Sequence, residues 1–217
     1  MDKSKLVITI ERQYGSGGRI VGKKLAEELG ISFYDDEILS MTAEKSAVGE
    51  KYFRLADEKA GNNLLRKIVG NLRFPAGIFE EPKKEGDVTS PDNLFRFQAE
   101  VIRELASEES CVIVGRCGDY VLRDRKDVLR IFVYAPKEWR LAYGKENNML
   151  QAKDEKGIKD EIDKTDRNRA AYYNYYTQNR WGDAHNYDLA INAALGHDAC
   201  VNMILAAAEA KEKTMEG

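Results

Sequence analysis

Cysteine, histidine, proline and long apolar runs are all scarce in this chain. The three cysteines, Cys111, Cys117 and Cys200, are too few and too scattered for a disulfide framework or a zinc site. Their free state is expected in a reducing compartment, so a cytoplasmic location is the natural reading. The two histidines, His185 and His197, have no ligand spacing around them and read as surface residues. No stretch is apolar for long enough to span a bilayer, and no apolar segment precedes the first strand, so neither a membrane anchor nor a signal peptide is expected. An excess of positive charge is absent too. Lys and Arg number 34 against 37 Asp and Glu, a net charge of −3, which gives no case for nucleic acid or an anionic membrane surface.

What is present suits a soluble globular protein. Hydrophobic residues are 43% and charged residues 33%, as expected for long solvated helix faces over a buried core. The 217 residues suffice for one sizeable α/β domain, or a core with a lid. Neither monomer nor homodimer is favoured by the sequence.

Residues 5–30, KLVITIERQYGSGGRIVGKKLAEELG, organise the rest. Residues 6–10 are a short β-branched run, expected to be a strand buried on both faces. Tyr14, Gly15, Ser16, Gly17 and Gly18 read as a tight turn. From Arg19 the period changes: Val21, Leu25 and Leu29 recur four apart with charges between them, as on an amphipathic helix that ends at Gly30. A strand, a glycine turn and a helix in this order make an anion site. The helix start offers unpaired N–H groups and a positive dipole end, and glycines let the backbone close on a phosphate. Taken literally, residues 17–23 fit the spacing GxxxxGK, with Lys24 in place of Ser or Thr. That register would place Ile20 and Val21 in the cradle, although their spacing belongs to the helix. Closing the turn at Gly18 is the better register and leaves Arg19 as the cation at the helix mouth.

Downstream, strands and helices alternate. Residues 32–35 read as a second strand ending in Asp35, and Asp36 and Glu37 open a helix. Residues 49–72 look helical but polar. Residues 74–91 carry Pro75, Pro82 and Pro91 with a charge run and read as the most mobile loop. A helix from Pro91, strands over 111–115 and 128–135, a helix from Pro136, a charged stretch over 145–163, a helix over 163–180, a strand over 187–192 and a helix over 199–211 complete the pattern. Such alternation predicts a parallel sheet with helices on both faces, whose ligands lie beyond the carboxyl ends of the strands. The glycine turn, Asp35 and Gly115-Arg116 all fall at such ends.

Among the polar residues, Arg116 follows a buried strand and can hold a phosphate in a planar fork, or cap the sheet in a salt bridge. Asp35 can orient a hydroxyl nucleophile, hold a metal-bound water, or cap the next helix. Asp166, Arg169, Tyr173, Tyr176 and Arg180 follow helical steps of three and four and are expected to line one face. Either a solvated face or a lid closing on a transferred group accounts for them.

The segments ITIERQYGSGGRIVGKKLAEELG, CVIVGRCGDYVL, VLRIFVYAPKEWR and DKTDRNRAAYYNYYTQNRWGDAHNYDLAIN together resemble the cytidylate kinase-like family, a divergent branch of the P-loop nucleoside monophosphate kinases. The resemblance implies one three-layer P-loop kinase-like domain over 1–217, with a five-stranded parallel sheet, an insertion at about 49–91 and a helical lid at about 140–180. It implies an ATP site at Tyr14, Gly15, Ser16, Gly17, Gly18, Arg19 and Ile20, and an acceptor pocket near Asp35 and Arg116. Arg140, Asp166 and Arg169 would belong to the lid. For true cytidylate kinases the reaction is ATP plus CMP or dCMP giving the diphosphates, with magnesium. Here Gly18 stands where those kinases carry the phosphate-loop lysine, and Ile20 stands where they carry the magnesium-binding hydroxyl. Cys117 replaces the aspartate that holds cytosine, and residues 36–41 lack the phosphate-gripping Ser-Gly-x-x-Tyr-Arg.

Two readings of function follow. One is an ATP-dependent phosphotransferase in which Arg19, Arg116 and Arg169, with Asp35, position and neutralise the transferred group. The acceptor is a small molecule, with CMP as the default. The other is a nucleotide- or anion-binding protein without catalysis, motivated by the absent lysine and hydroxyl. No metal ligands are assigned from the sequence.

Overall fold

A computed structural model describes residues 5–35, 38, 41, 91–147 and 154–216. The expected helix over 36–41, except Ile38 and Met41, the polar helical stretch over 49–72 and the loop over 74–90 lie outside the described residues. Five strands form one sheet: β1 (Val7–Arg12), β2 (Ser32–Tyr34), β3 (Cys111–Val114), β4 (Val128–Tyr134) and β5 (Leu189–Asn192). Their order is β2-β3-β1-β4-β5, and every pairing is parallel. The described helices are α1 (Gly18–Leu29), α2 (Pro91–Glu108), α3 (Gly118–Val121), α4 (Lys137–Glu146), α5 (Glu155–Thr177) and α6 (His197–Glu216).

The strands form where β-branched residues run together, and both sheet faces are covered. Ile8 and Ile10 point to one face, where Val21, Leu25 and Ala26 of α1 and Val201, Ile204 and Ala208 of α6 meet them. Val7 and Ile113 point to the other, against Phe95, Ile102 and Leu105 of α2, Val121 of α3 and Tyr173 of α5. Leu25 is fully buried, so cutting it to alanine would remove about 2–5 kcal/mol. Strand β1 hands the chain to one face through α1, and its neighbour β3 hands it to the other through α3. Adjacent strands whose chains leave in opposite directions open a crevice at their carboxyl ends.

Gly22 explains why the literal GxxxxGK register does not apply. A side chain there would press on Ile10, Phe33 and Val114 at 3.1–3.3 Å, so this glycine lets α1 lie close on the sheet. Lys23 beside it is 68% exposed and faces Glu27. Gly30 ends α1 in the left-handed conformation, as expected.

Several element boundaries differ from expectation; α6 spans His197–Glu216 where 199–211 was expected, and β5 starts at Leu189 where 187 was expected. Strand β1 runs two residues further, through Glu11 and Arg12, because Gln13 N–H still bonds the Val133 carbonyl and keeps the ladder going. Helix α5 begins at Glu155 instead of 163. Ile158 and Ile162, one turn apart, bury themselves against Leu141 and anchor a stretch that otherwise reads as mere charge. It ends at Thr177, where Gln178 turns left-handed, so Arg180 is not on the helix. Among the described residues no helix is long and apolar enough to cross a membrane.

One polar tie fixes α5 to the core. Tyr173 donates a hydrogen bond to Asp119 Oδ2 at 2.6 Å, and both residues are buried. Burial, and next the nearby Glu11 carboxylate, push the Asp119 acid up to about 7, against the pull of the Tyr173 hydroxyl. A carboxyl whose folded pKa lies above its unfolded value of about 3.9 binds more protons in the folded state. Its contribution is therefore greatest when protonated and is lost as pH rises toward about 7. Asp119→Asn, neutral at every pH and still able to accept from Tyr173, should remove that loss. Thermal melts between about pH 5 and 8 should show the variant gaining on the parent as pH rises. A constant difference across the range would show that Asp119 does not titrate there.

Candidate functional site

The turn after β1 is built from backbone. Ser16 N–H and Ser16 Oγ both donate to the Gln13 carbonyl, at 3.3 and 2.8 Å, and fold the turn back on itself. Gln13 Oε1 accepts from Ala135 N–H at 3.1 Å and ties the turn to the end of β4. Gly15 and Gly17 have φ of 74° and 77°, where a side chain would be strained. Gly17 is the N-cap of α1 and, as a glycine, supplies no side-chain hydrogen bond to the first N–H groups of the helix.

Side chains crowd this turn from three directions. The His197 ring lies against Gly17, so close that a Cβ there would coincide with the imidazole. The Arg12 stem lies against Gly18, and Arg140 against Gly15. His197 thus corrects the expectation of a surface histidine: it is half-buried between Trp139 and Tyr143, edge-on to both. Burial, then the Lys24 charge, hold its imidazole below the usual range. His185 is exposed, as expected.

Helix α5 grips the same turn. Asp166 accepts from Tyr14 N–H at 2.7 Å and from the Arg140 guanidinium at 2.6 Å, and Arg140 also donates to the Tyr14 carbonyl at 2.9 Å. Arg169 donates to the Arg12 carbonyl at 3.0 Å and sits over the Tyr14 ring. The Tyr14 hydroxyl bonds Glu161 at 2.6 Å. Four residues of the expected site, Tyr14, Arg140, Asp166 and Arg169, therefore form one cluster. Tyr173 and Tyr176 turn inward toward Asp119 and Phe95, so this helix face packs on the core and is not solvated.

The edge beyond β3 is strained. Gly115, Arg116 and Cys117 have φ of 76°, 60° and 55°, three left-handed residues in succession. For the two that are not glycine this costs roughly 1–2 kcal/mol each. Cys117 N–H donates to the buried Glu11 carboxylate at 3.3 Å, which helps to hold the bend, and Arg116 is buried. Trp181 Nε1 meets the other Glu11 oxygen at 3.3 Å.

Asp35 is buried at the end of β2 and accepts from Arg19 Nε at 2.5 Å. The Arg19 side chain, 59% exposed, is thus tied to Asp35. Ile20 is half-buried in the first turn of α1 and offers no oxygen. Ser16 is fully buried with its hydroxyl given to Gln13. The residues present fit a polyphosphate: a helix start capped by glycine, left-handed glycines at 15 and 17, and arginines around them. They offer no ready oxygen ligands for magnesium at Ile20, so the ion would be held through nucleotide phosphates and water.

Arg12, His197, Glu11 and Gln13 were not singled out from sequence. Arg12 could have been found by alternation, since it follows Ile8 and Ile10 at steps of two. His197 follows Gly196 just past the carboxyl end of β5, where ligand-edge loops begin.

Known proteins place this architecture. A solved structure of an uncharacterised protein from Eubacterium ventriosum ATCC 27560 is similar at 25% identity, covering 94% of this chain and 99% of that one, with a TM-score of 0.66. Shikimate kinase from Bacteroides thetaiotaomicron is similar at 15% identity, 94% and 98% coverage and a TM-score of 0.51. A gluconokinase from Sinorhizobium meliloti 1021 is similar at 13% identity, 97% and 95% coverage and a TM-score of 0.52. The last two show the fold alone. No curated protein matches the sequence. The profile of the cytidylate kinase-like family matches residues 7–194, which takes in β1, the glycine turn, the strained β3 edge and the α5 clamp, and the chain belongs to that family.

Proposed function

We propose that this protein is an ATP-dependent phosphotransferase acting on a small acceptor, by resemblance a nucleoside monophosphate such as CMP. Membership of a kinase-like family supports nucleotide-dependent phosphoryl transfer to a small molecule. The observation that carries the reading is the glycine-rich turn at the mouth of α1, with Arg12, Arg140 and Arg169 gathered around it. Backbone N–H groups of Gly15 and of residues 17–20 would hold the β- and γ-phosphates, those of Tyr14 and Ser16 being given to Asp166 and Gln13. Arg140 of α4 and Arg169 of α5, anchored to residues 12–14 by their hydrogen bonds, would cover them. Arg116 and Asp35 would face the acceptor from the β3 and β2 ends of the same edge.

In the transfer, an acceptor oxygen forms a bond to the γ-phosphorus while the bond from that phosphorus to the β,γ-bridging oxygen breaks, and ADP leaves. Such a reaction needs positioning and charge neutralisation more than a covalent nucleophile, and arginines supply both. A phosphate acceptor needs no general base, whereas an alcohol would draw on Asp35 once Arg19 releases it. Magnesium, carried on the nucleotide, supplies further neutralisation of the phosphate charge.

The second reading, nucleotide binding without turnover, is favoured by Gly18 and Ile20 standing at the lysine and hydroxyl positions. ADP release from ATP and magnesium, measured across nucleoside monophosphates and small alcohols, separates the two. Turnover with at least one acceptor is expected. Calorimetric binding of ATP that is indifferent to magnesium, with no product from any acceptor, would establish the second reading instead.

The α5 clamp gives a further expectation. Asp166→Ala removes the acceptor of both Tyr14 N–H and the buried Arg140 guanidinium. An uncompensated buried cation lowers stability by about 3 kcal/mol. A lower melting temperature together with weaker ATP binding is expected. Unchanged binding in the folded variant would show that the clamp does not shape the turn.

A further inference from the structure

Gly18 raises a question that its own backbone does not answer. It is the first residue of α1, and its φ is not in the left-handed region that makes glycine necessary at Gly15 and Gly17. Glycine in a helix is otherwise unfavourable by about 1 kcal/mol relative to alanine. The reason lies in a neighbour. A Cβ on Gly18 would stand 2.6 Å from Arg12 Cβ and 3.2 Å from Arg12 Cγ, with Val133 Cβ also at 3.2 Å. The space where residue 18 would begin a side chain is filled by the stem of Arg12.

The other end of the same side chain occupies a second such space. The Arg12 guanidinium lies on Gly115, with Nη1 closest and Cζ 3.0 Å from where a Cβ would be. Two glycines, one at the mouth of α1 and one at the end of β3, therefore keep a corridor open for one arginine. Within it the Arg12 side chain is 18% exposed, and its guanidinium stands 4.0 Å from carboxylates of both Glu11 and Asp35, at the outer limit of an ion pair. These carboxylates offset the charge without enclosing it. Arg169 fixes the Arg12 backbone by bonding its carbonyl. Arg19, by contrast, extends to Asp35.

We infer that Arg12 is the fixed phosphate-contacting cation of this site, seated from the end of β1 in the space that a side chain at position 18 would otherwise use. The inference rests on the nucleotide-binding reading above. A guanidinium reaching through that seat presents a planar fork to phosphate oxygens, and so supplies from position 12 a cation that position 18 lacks. The glycine at 18 is then the complement of the arginine at 12: one vacates the space that the other enters.

The two positions can be exchanged to test this. ATP with magnesium, and adenosine as a phosphate-free control, are titrated calorimetrically into the parent, Arg12→Gln, Arg12→Lys, Arg12→Ala and Arg12→Ala/Gly18→Lys, with melting temperatures recorded for each. Arg12→Gln keeps the stem and should weaken ATP roughly ten- to hundredfold, the usual effect of losing a hydrogen bond to a charged group. Adenosine affinity should not move. Arg12→Lys should retain most ATP affinity. The double variant, with space now open at position 18, should regain much of what Arg12→Ala loses, while Gly18→Lys alone should destabilise the fold by collision. ATP affinity of Arg12→Gln within twofold of the parent would overturn the inference and leave the kinase reading intact. So would a folded double variant that binds ATP no better than Arg12→Ala. Failure of the parent itself to bind ATP would remove the nucleotide reading, and the assignment of Arg12 with it.

Discussion

Between β1 and α1 the backbone passes through a gap with no room for side chains. His197 closes it at Gly17, Arg12 at Gly18 and Arg140 lies along Gly15. That exclusion shapes everything around it. It leaves N–H groups as the lining of the turn, it brings cations to within reach of whatever the turn holds, and it forces the neighbouring side chains into fixed seats. A phosphate group is the ligand for which such a lining is chemically suited, because it accepts many hydrogen bonds and carries the charge that a helix start favours.

The clamp from α5 and the strained end of β3 act on the same gap from opposite sides. Asp166 satisfies a backbone N–H and a guanidinium together, so the entry to the turn and the arginine above it move as one unit. Across the edge, consecutive left-handed residues at Arg116 and Cys117 are held by Glu11, a buried carboxylate that also receives Trp181. Strain of this kind persists only where surrounding structure over-determines it, and it gathers where a backbone must present a side chain in one direction. Here it directs the chain after β3 along the crevice between β1 and β3.

Charge is distributed to match. Asp35 lies between Arg19 and Arg12, Asp166 holds Arg140, and Arg140 and Arg169 are further anchored through the backbone carbonyls of Tyr14 and Arg12.

Sequence alone was sufficient for the parallel α/β architecture. Runs of β-branched residues and the four-residue spacing of Val21, Leu25 and Leu29 follow from how strands and helices bury one face or two, which is a local property. The glycine turn was legible for the same reason, as left-handed backbone needs glycine wherever it occurs. What could not be read is which side chain fills a space left by another. Arg19 was the nearest arginine along the chain, yet Asp35 draws it away, and Arg12 enters the space at Gly18 from the adjoining strand. His197 meets Gly17 from 180 residues further along the sequence, since β5 returns beside β4 and releases α6 at the same edge. Periodicity and turn chemistry are written in neighbouring residues and were determined by the sequence. Occupancy of a shared volume depends on strand order and close packing, and only the tertiary structure decided it.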